Sequence, residues 1–441
     1  MKEKDPVAIL NLGCPKNQVD GETMAGLLAQ AGYALTDRLE WAGTIIVNTC
    51  GFIEKARQES IDAILAAAEQ KTKGRCRRLL VTGCLSQAHY QELKKALPEV
   101  DGFMGTGAVD KVVELVEGKG PLFPSPKSYD GLAETGRLPS TYPYGYLKIA
   151  EGCNHRCSYC VIPQLRGPLR SKDPAQVLAE ANMLVAGGIK EIILVAQDTT
   201  QYGLDFARQS RLPELLTQLE TVAGLSRVRL LYCYPEGITD ELLRVMARSP
   251  IFCRYLDIPL QHSHPYILKS MGRRGGEGAE ALLEKLRLHL PGLALRTSLI
   301  VGYPGEKPMH FRHLLAFVRR AKFDHLGAFV YSQEERTAAA KIEEQVPRRI
   351  KEWRYRQLMS AQQEIVFARN RQFIGQEFSV LIDAVSRGRA WGRSYREAPV
   401  VDSSIIFPAE GRRPGDFAAV RCTDYSGYDL LGEIDSGKPR E

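Results

Sequence analysis

The chain has 441 residues, of which 44% are apolar and 25% are charged, and its formal net charge is +7. This composition excludes a disordered or fibrous chain, and the length predicts two or three domains. The sequence has neither a signal-peptide pattern nor an apolar run of membrane-spanning length, so we expect a cytoplasmic protein. In that compartment its ten cysteines stay reduced, which favours metal ligation or catalysis over disulfides.

Residues 1–122 alternate short apolar strands with helical patterns. We predict strands in "VAILNLG", "TIIVNTC" and "RLLVTGC", and helices in "GETMAGLLAQAG" and "IDAILAAAEQ". Near-continuous apolar strands in such an alternation predict a parallel α/β sheet that helices cover on both faces. The stretch "GKGPLFPSPKSYDGL" is rich in Pro and Gly and predicts a linker to the next domain.

Each predicted strand of this first domain ends at a cysteine. Cys14, Cys50 and Cys84 follow the three strands in turn, and the carboxyl ends of parallel strands meet at the sheet edge where ligands bind. A single strand-end cysteine is more often a packing residue, but three at one edge predict a metal site. Four cysteines lack such neighbours and are expected in apolar cores: Cys76, Cys233, Cys253 and Cys422.

Residues 139–370 continue with six strand–helix units and a charged helix. The strands are predicted in "YGYLKIAEG", "IKEIILVAQD", "RVRLLYCYP", "RYLDIPLQH", "LRTSLIVGY" and "HLGAFVYSQ". Six such units predict a partial (β/α)6 barrel related to the TIM fold, with functional residues at the carboxyl ends of its strands. Residues 341–371 are predicted to form one charged helix.

The strongest motif, "EGCNHRCSYC", comes directly after the first barrel strand. Its spacing, Cys153-x3-Cys157-x2-Cys160, lets three thiolates of one loop close on a single metal centre. One possibility is a [4Fe–4S] cluster with one iron free to bind a small molecule. The other is a zinc knuckle with His155 as its fourth ligand, although zinc sites usually add a second ligand pair further along the chain.

Residues 372–441 carry five short β-type segments: "EFSVLIDAV", "AWGRSY", "SSIIF", "DFAAVRCTDY" and "YDLLGEI". Five short strands separated by Gly, Asp and Pro predict a small antiparallel β-barrel of a binding type. The segment has 9 Lys and Arg against 11 Asp and Glu. A module for nucleic acid would concentrate positive charge, so this balance favours a basic protein as the partner.

The three-cysteine loop at the start of a partial barrel resembles the radical S-adenosylmethionine superfamily. With its N-terminal three-cysteine domain and a C-terminal barrel that looks like a TRAM domain, the whole chain resembles the methylthiotransferases of that superfamily. The resemblance implies two [4Fe–4S] clusters, S-adenosylmethionine bound at an open iron, and external donors of sulfur and electrons. It also implies an enzyme that replaces a C–H bond with C–SCH₃, the methyl group coming from a second S-adenosylmethionine.

The same resemblance implies roles for individual residues. Tyr159 matches the position that packs on the adenine, and Gln197 and Asp198 match the site of the methionine amino group. At the end of the fifth barrel strand, three residues match contacts to the cofactor ribose or carboxylate: Arg296, Gly302 and Glu306. The alternative for this set is ordinary loop chemistry, with turns at glycine and a helix cap at aspartate.

Two branches of the family differ in substrate. One modifies an adenosine in tRNA (MiaB type), and the other modifies an aspartate of small-subunit ribosomal protein twelve (RimO type). The stretches "LGCPKNQVDGE", "NTCGFIEKARQES", "YLKIAEGCNHRCSYCVIPQLRG", "VAQDTTQYG" and "DIPLQH" resemble the second branch. This implies a ribosomal protein as the partner, rather than a nucleic acid or a membrane.

Some points stay open at the level of the sequence. Arg336 stands where the family pattern has Gly, which affects the local turn and the role of Glu334, a candidate on the substrate side. His262 is a second such candidate, and its alternative role is a bond to a backbone carbonyl. The other functions to be separated are the tRNA enzyme, a non-catalytic iron–sulfur scaffold and a zinc-dependent RNA-binding module.

Overall fold

The computed structural model describes residues 4–51, 53–126, 136–139, 141–273 and 278–435. Part of the predicted linker, from residue 127 onward, lies outside these ranges. Across them, no helix combines the length and apolar character needed to cross a bilayer.

The N-terminal part is a parallel sheet of four strands in the order β1-β2-β3-β4. The strands are β1 (Val7–Asn11), β2 (Thr44–Thr49), β3 (Arg78–Gly83) and β4 (Gly102–Phe103). The helices are α1 (Pro15–Gln30), α2 (Glu54–Ala68), α3 (Gln70–Lys73), α4 (Cys84–Ala96) and α5 (Val112–Val116). Ile45 and Ile46 of β2 enter separate apolar clusters on the two faces, so the predicted covered parallel sheet is confirmed.

The second part is an open barrel. Its strands are β5 (Tyr144–Lys148), β6 (Ala150–Glu151), β7 (Arg170–Ser171), β8 (Glu191–Val195), β9 (Arg227–Leu230), β10 (Phe252–Asp257), β11 (Ala294–Val301) and β12 (His325–Val330). Its helices are α6 (Ile162–Arg166), α7 (Pro174–Ala186), α8 (Leu212–Leu219), α9 (Asp240–Arg248), α10 (Pro265–Ser270), α11 (Ala279–His289) and α12 (Pro308–Ala321). Six parallel strands pair in the order β12-β11-β10-β9-β8-β5, which confirms the partial (β/α)6 barrel.

The helix predicted over residues 341–371 begins later than expected. The helix α13 spans Arg348–Phe373, with Pro347 at its N-cap, and a separate 3₁₀ turn covers Ala338–Lys341. Proline lacks an N–H donor and disfavours helical geometry at the residue before it, so a helix can start after Pro347 but cannot run through it.

The C-terminal part is a closed five-stranded barrel in the order β13-β14-β15-β17-β16. The strands are β13 (Glu377–Ser386), β14 (Arg389–Arg393), β15 (Ile405–Pro408), β16 (Phe417–Ser426) and β17 (Asp429–Ile434). The small barrel is confirmed, but β15 and β17 run parallel, so it is not wholly antiparallel. A closed ring with an odd number of strands cannot alternate direction throughout, and one parallel pair follows from closure.

All three parts contribute to the inner face of the six-stranded barrel. Tyr146, Val195 and Tyr255 on this face pack in one buried cluster with Val19 of α1 and Ala398 of the C-terminal part. The N-terminal domain therefore packs against the inner face of the barrel through α1. The segment 394–402, which joins β14 to β15, enters from the side of the C-terminal barrel.

Candidate metal and cofactor site

The three N-terminal cysteines lie at the carboxyl edge of the first sheet. Cys14 is the N-cap of α1, Cys50 follows β2 directly, and Cys84 is the first residue of α4. Gly13 has φ +90°, and a Cβ added to it would lie 2.8 Å from Cys50 Sγ. Only glycine combines that backbone with so close an approach, so the loop that carries Cys14 lies directly against Cys50.

Buried hydrogen bonds hold the strand-end loops that follow β1 and β2 together. Asn17, which is 0% exposed, donates from Nδ2 to the carbonyl of Leu12 at 3.1 Å and to that of Thr49 at 2.8 Å. Ser60 Oγ donates to the Cys50 carbonyl at 2.8 Å and accepts from the Cys50 N–H at 3.1 Å. These loops are therefore fixed by the protein itself, which is what a preorganised ligand set needs.

The barrel cysteines lie on a loop that a two-residue ribbon closes at its base. The strands β6 and β7 pair antiparallel on either side of this loop. Gly152 has φ +80°, and an added Cβ would lie 1.9 Å from the Pro168 carbonyl oxygen, so the loop can turn here only at glycine. The Cys160 N–H donates to the Cys157 carbonyl at 3.0 Å, which keeps the motif in one tight turn.

The barrel thiols influence one another electrostatically. Burial raises the pKa of Cys153 to about 11 and that of Cys160 to about 12, and the neighbouring Cys157 thiol acts in the same direction on both. Thiols in this setting stay protonated until a cation compensates the thiolates, so metal binding would release protons.

The residues fit a cluster better than a zinc knuckle. His155, the proposed fourth zinc ligand, shares a hydrogen bond of 2.7 Å with Asp198 and stacks on Tyr234 at 3.9 Å. His155 is thus already engaged by the protein, whereas a cubane that takes one thiolate on each of three irons needs only the three cysteines of the loop.

Arg166 of α6 connects the barrel to the N-terminal cysteines. It donates to Asn17 Oδ1 at 2.5 Å and approaches Cys84 Sγ to 3.4 Å. Burial raises the pKa of the Cys84 thiol, while Arg166 lowers it. Arg166, which follows the cysteine loop of the barrel, thus places a positive charge beside Cys84 of the N-terminal domain.

Arg166 belongs to a buried network of four charges. Its Nη1 lies 2.8 Å from Asp20 and 3.0 Å from Glu151, and Lys148 Nζ contacts the same two carboxylates at 2.5 and 2.9 Å. Burial opposes the charged form of Glu151, but Arg166 and Lys148 hold its pKa well below the usual range. The network balances two cations against two anions, as burial of charges requires.

Gln197 and Asp198 follow β8, as predicted. Gln197 Nε2 donates to Glu151 at 2.5 Å, while its Oε1 is buried and has no hydrogen-bond partner among the described residues. An orphaned acceptor at a strand end suits the ammonium group that the family resemblance assigns to this position. Asp198 accepts from the Thr200 N–H at 3.0 Å, so it also caps the following turn.

Tyr159 lies beside a second aromatic residue and an arginine. Its hydroxyl accepts from Arg273 at 3.4 Å, and the same guanidinium lies 4.0 Å from the ring centre of Tyr234. Burial raises the pKa of Tyr159 well above its usual value, so the phenol stays neutral. A flat apolar surface beside the cysteine loop is consistent with adenine binding, which remains a prediction for Tyr159.

Arg296 does not lie at the end of its strand, where the sequence placed it. It is the third residue of β11, in register with Asp257, the last residue of β10. Its Nε is 3.8 Å from Asp257 Oδ1 and 3.8 Å from Asp402 Oδ1. Because β11 begins opposite Tyr255, the fourth residue of β10, a residue near the start of β11 lies at the level at which β10 ends.

Gly302, Glu306 and His262 form one buried contact set. The carboxylate of Glu306 accepts from the backbone N–H groups of Gly302 and Tyr303 and lies 3.4 Å from Arg354. His262 is 1% exposed and accepts at Nδ1 from the backbone N–H of His264 at 2.9 Å. His262 thus bonds a backbone N–H and not the carbonyl that was the alternative to a substrate contact, and its Nε2 lies 3.9 Å from Glu306, which holds a loop.

Glu334 joins the barrel to the N-terminal sheet. Arg57 of α2 contacts it at 2.9 Å and Arg336 at 2.8 Å, and Arg336 also donates to the Ala88 carbonyl of α4 at 3.3 Å. In place of the family glycine, Arg336 thus adds a contact between the two domains.

Comparisons with known proteins cover the whole chain. Residues 6–105 match the uncharacterized protein family UPF0004, residues 147–318 the radical SAM superfamily, and residues 374–434 the TRAM domain. The chain is 48% identical over 442 residues to "Ribosomal protein uS12 methylthiotransferase RimO" of Geobacter sulfurreducens, covering 98% of this chain and 99% of that protein. The protein of the same name from Desulforudis audaxviator is 45% identical, covering 99% and 98%. The chain belongs to the ribosomal protein uS12 methylthiotransferase (RimO) family.

A solved structure supports the fold. The radical S-adenosylmethionine methyltransferase TsrM from Kitasatospora setae aligns over 90% of this chain and 82% of its own, with a TM-score of 0.57 and 14% identity. At that identity the likeness concerns the fold alone.

For this member of the RimO family, sequence reasoning missed the buried charges Asp20, Lys148, Glu151 and Arg166. Lys148 and Glu151 did carry a signal, because they interrupt the apolar strand pattern "YGYLKIAEG", and charged residues are buried only when paired. No sequence pattern indicated that Arg166 would be buried in this network. The four cysteines expected to be packing residues are each buried in an apolar cluster: Cys76, Cys233, Cys253 and Cys422.

Proposed function

We propose that this protein methylthiolates an aspartate of ribosomal protein uS12, replacing a C–H bond at its β-carbon with C–SCH₃. The observation that carries the proposal is the full-length relationship to the RimO family. The enzyme uses two [4Fe–4S] clusters and S-adenosylmethionine. When bound, these groups would supply the hydrogen-abstracting radical and the methyl group, and would carry the electron and the sulfur that outside donors provide.

Six cysteines would hold the clusters. Cys153, Cys157 and Cys160 would bind one cluster and leave one iron open to S-adenosylmethionine. The second set, on the N-terminal sheet edge, would hold the other cluster: Cys14, Cys50 and Cys84. Arg166 supports this division, because it belongs to the loop of the first set and lies 3.4 Å from Cys84 of the second.

The other candidate residues would bind and orient S-adenosylmethionine. Gln197 Oε1 would accept from the amino group of S-adenosylmethionine, since it is buried without a partner in the described chain. Tyr159 would pack on the adenine. Arg296, Gly302 and Glu306 would act by shaping the adjoining wall, in which Glu306 is 3% exposed. The network around Glu151 holds Gln197 in place.

The setting of the reaction follows from its substrate. We place the protein in the cytoplasm, where ribosomal proteins are found and cysteines stay reduced. A reductant and a sulfur source must be supplied by other molecules. We place the domain limits at residues 1–122, 139–370 and 372–441, and the three family matches fall inside these limits.

Anaerobic turnover with two substrates tests the proposal. The reconstituted full-length protein, S-adenosylmethionine and a reductant are incubated with purified uS12 or with tRNA, and the products are read by mass spectrometry. We expect methylthioaspartate in uS12 and no modified adenosine in tRNA. Modified tRNA with unmodified uS12 would move the protein to the other branch, and the absence of 5′-deoxyadenosine in every reaction would indicate a non-catalytic scaffold.

A further inference from the structure

Lys16 is a buried cation without a carboxylate partner in the described part of the chain. It is the second residue of α1 and is 8% exposed. Its Nζ donates to the carbonyl of Ala196 at 3.3 Å and lies 3.8 Å from the ring centre of Tyr232. An ammonium group has three donors, so two of them face neither a carboxylate nor a carbonyl of the described residues.

Several other buried cations of this region contact carboxylates, whereas Arg273 has a phenol, a backbone carbonyl and an aromatic ring as its partners in the described residues. Lys148 and Arg166 each contact Asp20 and Glu151 within 3.0 Å. Arg296 lies 3.8 Å from each of two carboxylates. Burying a charge without a counter-charge is costly, so an isolated Lys16 indicates that its counter-ion arrives from outside the chain.

Asp257 is a carboxylate that interacts electrostatically with Lys16, but it already has other partners. The charge of Lys16 opposes the burial that raises the pKa of Asp257, yet the two groups are beyond salt-bridge distance. Asp257 accepts from the Tyr232 N–H at 3.1 Å and faces Arg296. It therefore supplies a favourable field at Lys16 without filling the place of a contacting anion.

Lys16 lies between the N-terminal cysteine set and the carboxyl ends of two barrel strands. It is two residues from Cys14, and its acceptor Ala196 immediately precedes Gln197 at the carboxyl end of β8. Tyr232, at the carboxyl end of β9, holds its ring against Lys16 from a left-handed backbone with φ +60°. A non-glycine residue in that conformation is strained, and such strain is typical of functional sites.

We infer that Lys16 binds the side-chain carboxylate of the target aspartate and so positions its β-carbon between the two cysteine sets. The inference rests on the proposed function and names the residue that selects an acidic side chain. The β-carbon of aspartate is bonded directly to the carboxylate carbon, so a cation that fixes the carboxylate also fixes the C–H bond. The adenine base has no carboxylate, so a cation at this position favours an aspartate side chain over adenine as the reacting group.

A double-mutant cycle on binding tests the inference. The dissociation constants of reconstituted full-length protein are measured for uS12 and for uS12 with the target aspartate changed to asparagine. We expect the native enzyme to bind the aspartate form at least about tenfold more tightly, since charged hydrogen bonds are worth that much or more. Lys16→Met should bind the two forms equally, and Lys16→Arg should restore the preference.

Lys94→Met is the matched control. Lys94 also lies over a tyrosine ring, 5.8 Å from the centre of Tyr90, but it is exposed on α4 and away from the cysteines. This variant should keep the full preference for aspartate. Its loss in Lys94→Met would mean that general charge, and not Lys16, attracts the substrate.

The outcomes separate the inference from the proposed function. If the native enzyme methylthiolates uS12 but binds both forms equally, or if a folded Lys16→Met protein keeps the tenfold preference, the Lys16 inference is wrong and the function stands. If the native enzyme never modifies uS12, the proposed function itself fails. The comparison on native enzyme needs no variant, so misfolding of Lys16→Met would not leave the inference untested.

Discussion

The two cysteine sets of this protein are built in opposite ways. In the barrel, Cys153, Cys157 and Cys160 share one loop, and a ribbon of two short strands closes that loop. In the N-terminal sheet, Cys14 and Cys84 are 70 residues apart in sequence and meet only because parallel strands end at one edge. One set depends on local chain geometry and the other on a completed sheet.

This difference has consequences for robustness. A loop motif can form whenever its few residues turn correctly, whereas the sheet-edge set needs β1, β2 and β3 in register and needs Asn17 to join the ends of β1 and β2. We therefore expect the N-terminal set to be the more sensitive to changes elsewhere in the protein. Arg166, which belongs to the loop and faces Cys84, is the point where the two constructions meet.

The largest effect is expected from removal of the loop set. Changing Cys153, Cys157 and Cys160 to alanine together should reduce iron from about eight to about four atoms per chain. It should also abolish the formation of 5′-deoxyadenosine, which is measured by chromatography after reduction with dithionite. Loss of all the iron, or of none, would show that the two cysteine sets do not hold independent clusters.

The second prediction concerns one member of the sheet-edge set. Cys50→Ala should leave the N-terminal cluster labile while the loop cluster and the cleavage of S-adenosylmethionine persist, because these belong to another domain. No methylthioaspartate should appear in uS12. The matched control is Cys76→Ala, which removes a buried thiol that precedes β3, away from the cysteine edge, and should keep methylthiolation. Methylthiolation by Cys50→Ala at the native rate would make Cys50 a packing residue.

The third prediction targets the link between the two sets. Arg166→Met leaves Asp20 and Glu151 with Lys148 as their one remaining partner in the described network, and should lower the free energy of unfolding by about 3–5 kcal/mol. Urea denaturation under anaerobic conditions measures it. Arg421→Met, which removes an exposed pair with Asp435, serves as the control and should leave the midpoint unchanged. Equal midpoints for the two variants would contradict a structural role for the network.

The smallest effect is expected at the interdomain contact of Arg336. Arg336→Gly should cost less than about 1 kcal/mol at neutral pH, because the pair is partly exposed and Arg57 still binds Glu334. Burial opposes the charged form of Glu334, but Arg336 and Arg57 lower its pKa. The stability from this contact is thus present at neutral pH and is lost as the pH falls through the lowered pKa. The difference from the native protein should shrink in acid, and a constant difference from pH 7 to pH 3 would contradict this account.

Much of this architecture could be predicted from the sequence, because it follows from topology. The alternation of strands and helices predicted both parallel sheets, and the rule that parallel strands end at one edge placed Cys14, Cys50 and Cys84 together. The loop motif needed only its spacing. Resemblance to the methylthiotransferases then supplied the chemistry that spacing alone left open between iron and zinc.

The rest depended on contacts between segments that are distant in sequence. The position of Arg296 depends on the stagger between β10 and β11, which no residue pattern reveals. Arg166 faces Cys84 only because two domains dock. Lys16 can be identified as a candidate substrate ligand only when the structure shows that it has no carboxylate partner in the described residues. The start of α13, in contrast, could have been predicted from Pro347 alone. We placed it too early because the charged pattern of residues 341–371 continues through that proline.

The segment 394–402 affects the order in which the domains can fold during translation. Asp402 accepts from the Tyr255 hydroxyl at 2.7 Å, and Arg393, just before this segment, contacts Glu191 at the start of β8 at 2.8 Å. During synthesis the N-terminal sheet can fold early, but the barrel core is incomplete until these late residues have left the ribosomal tunnel. The barrel core is therefore completed only after translation of nearly the whole chain, whereas the N-terminal sheet can fold much sooner.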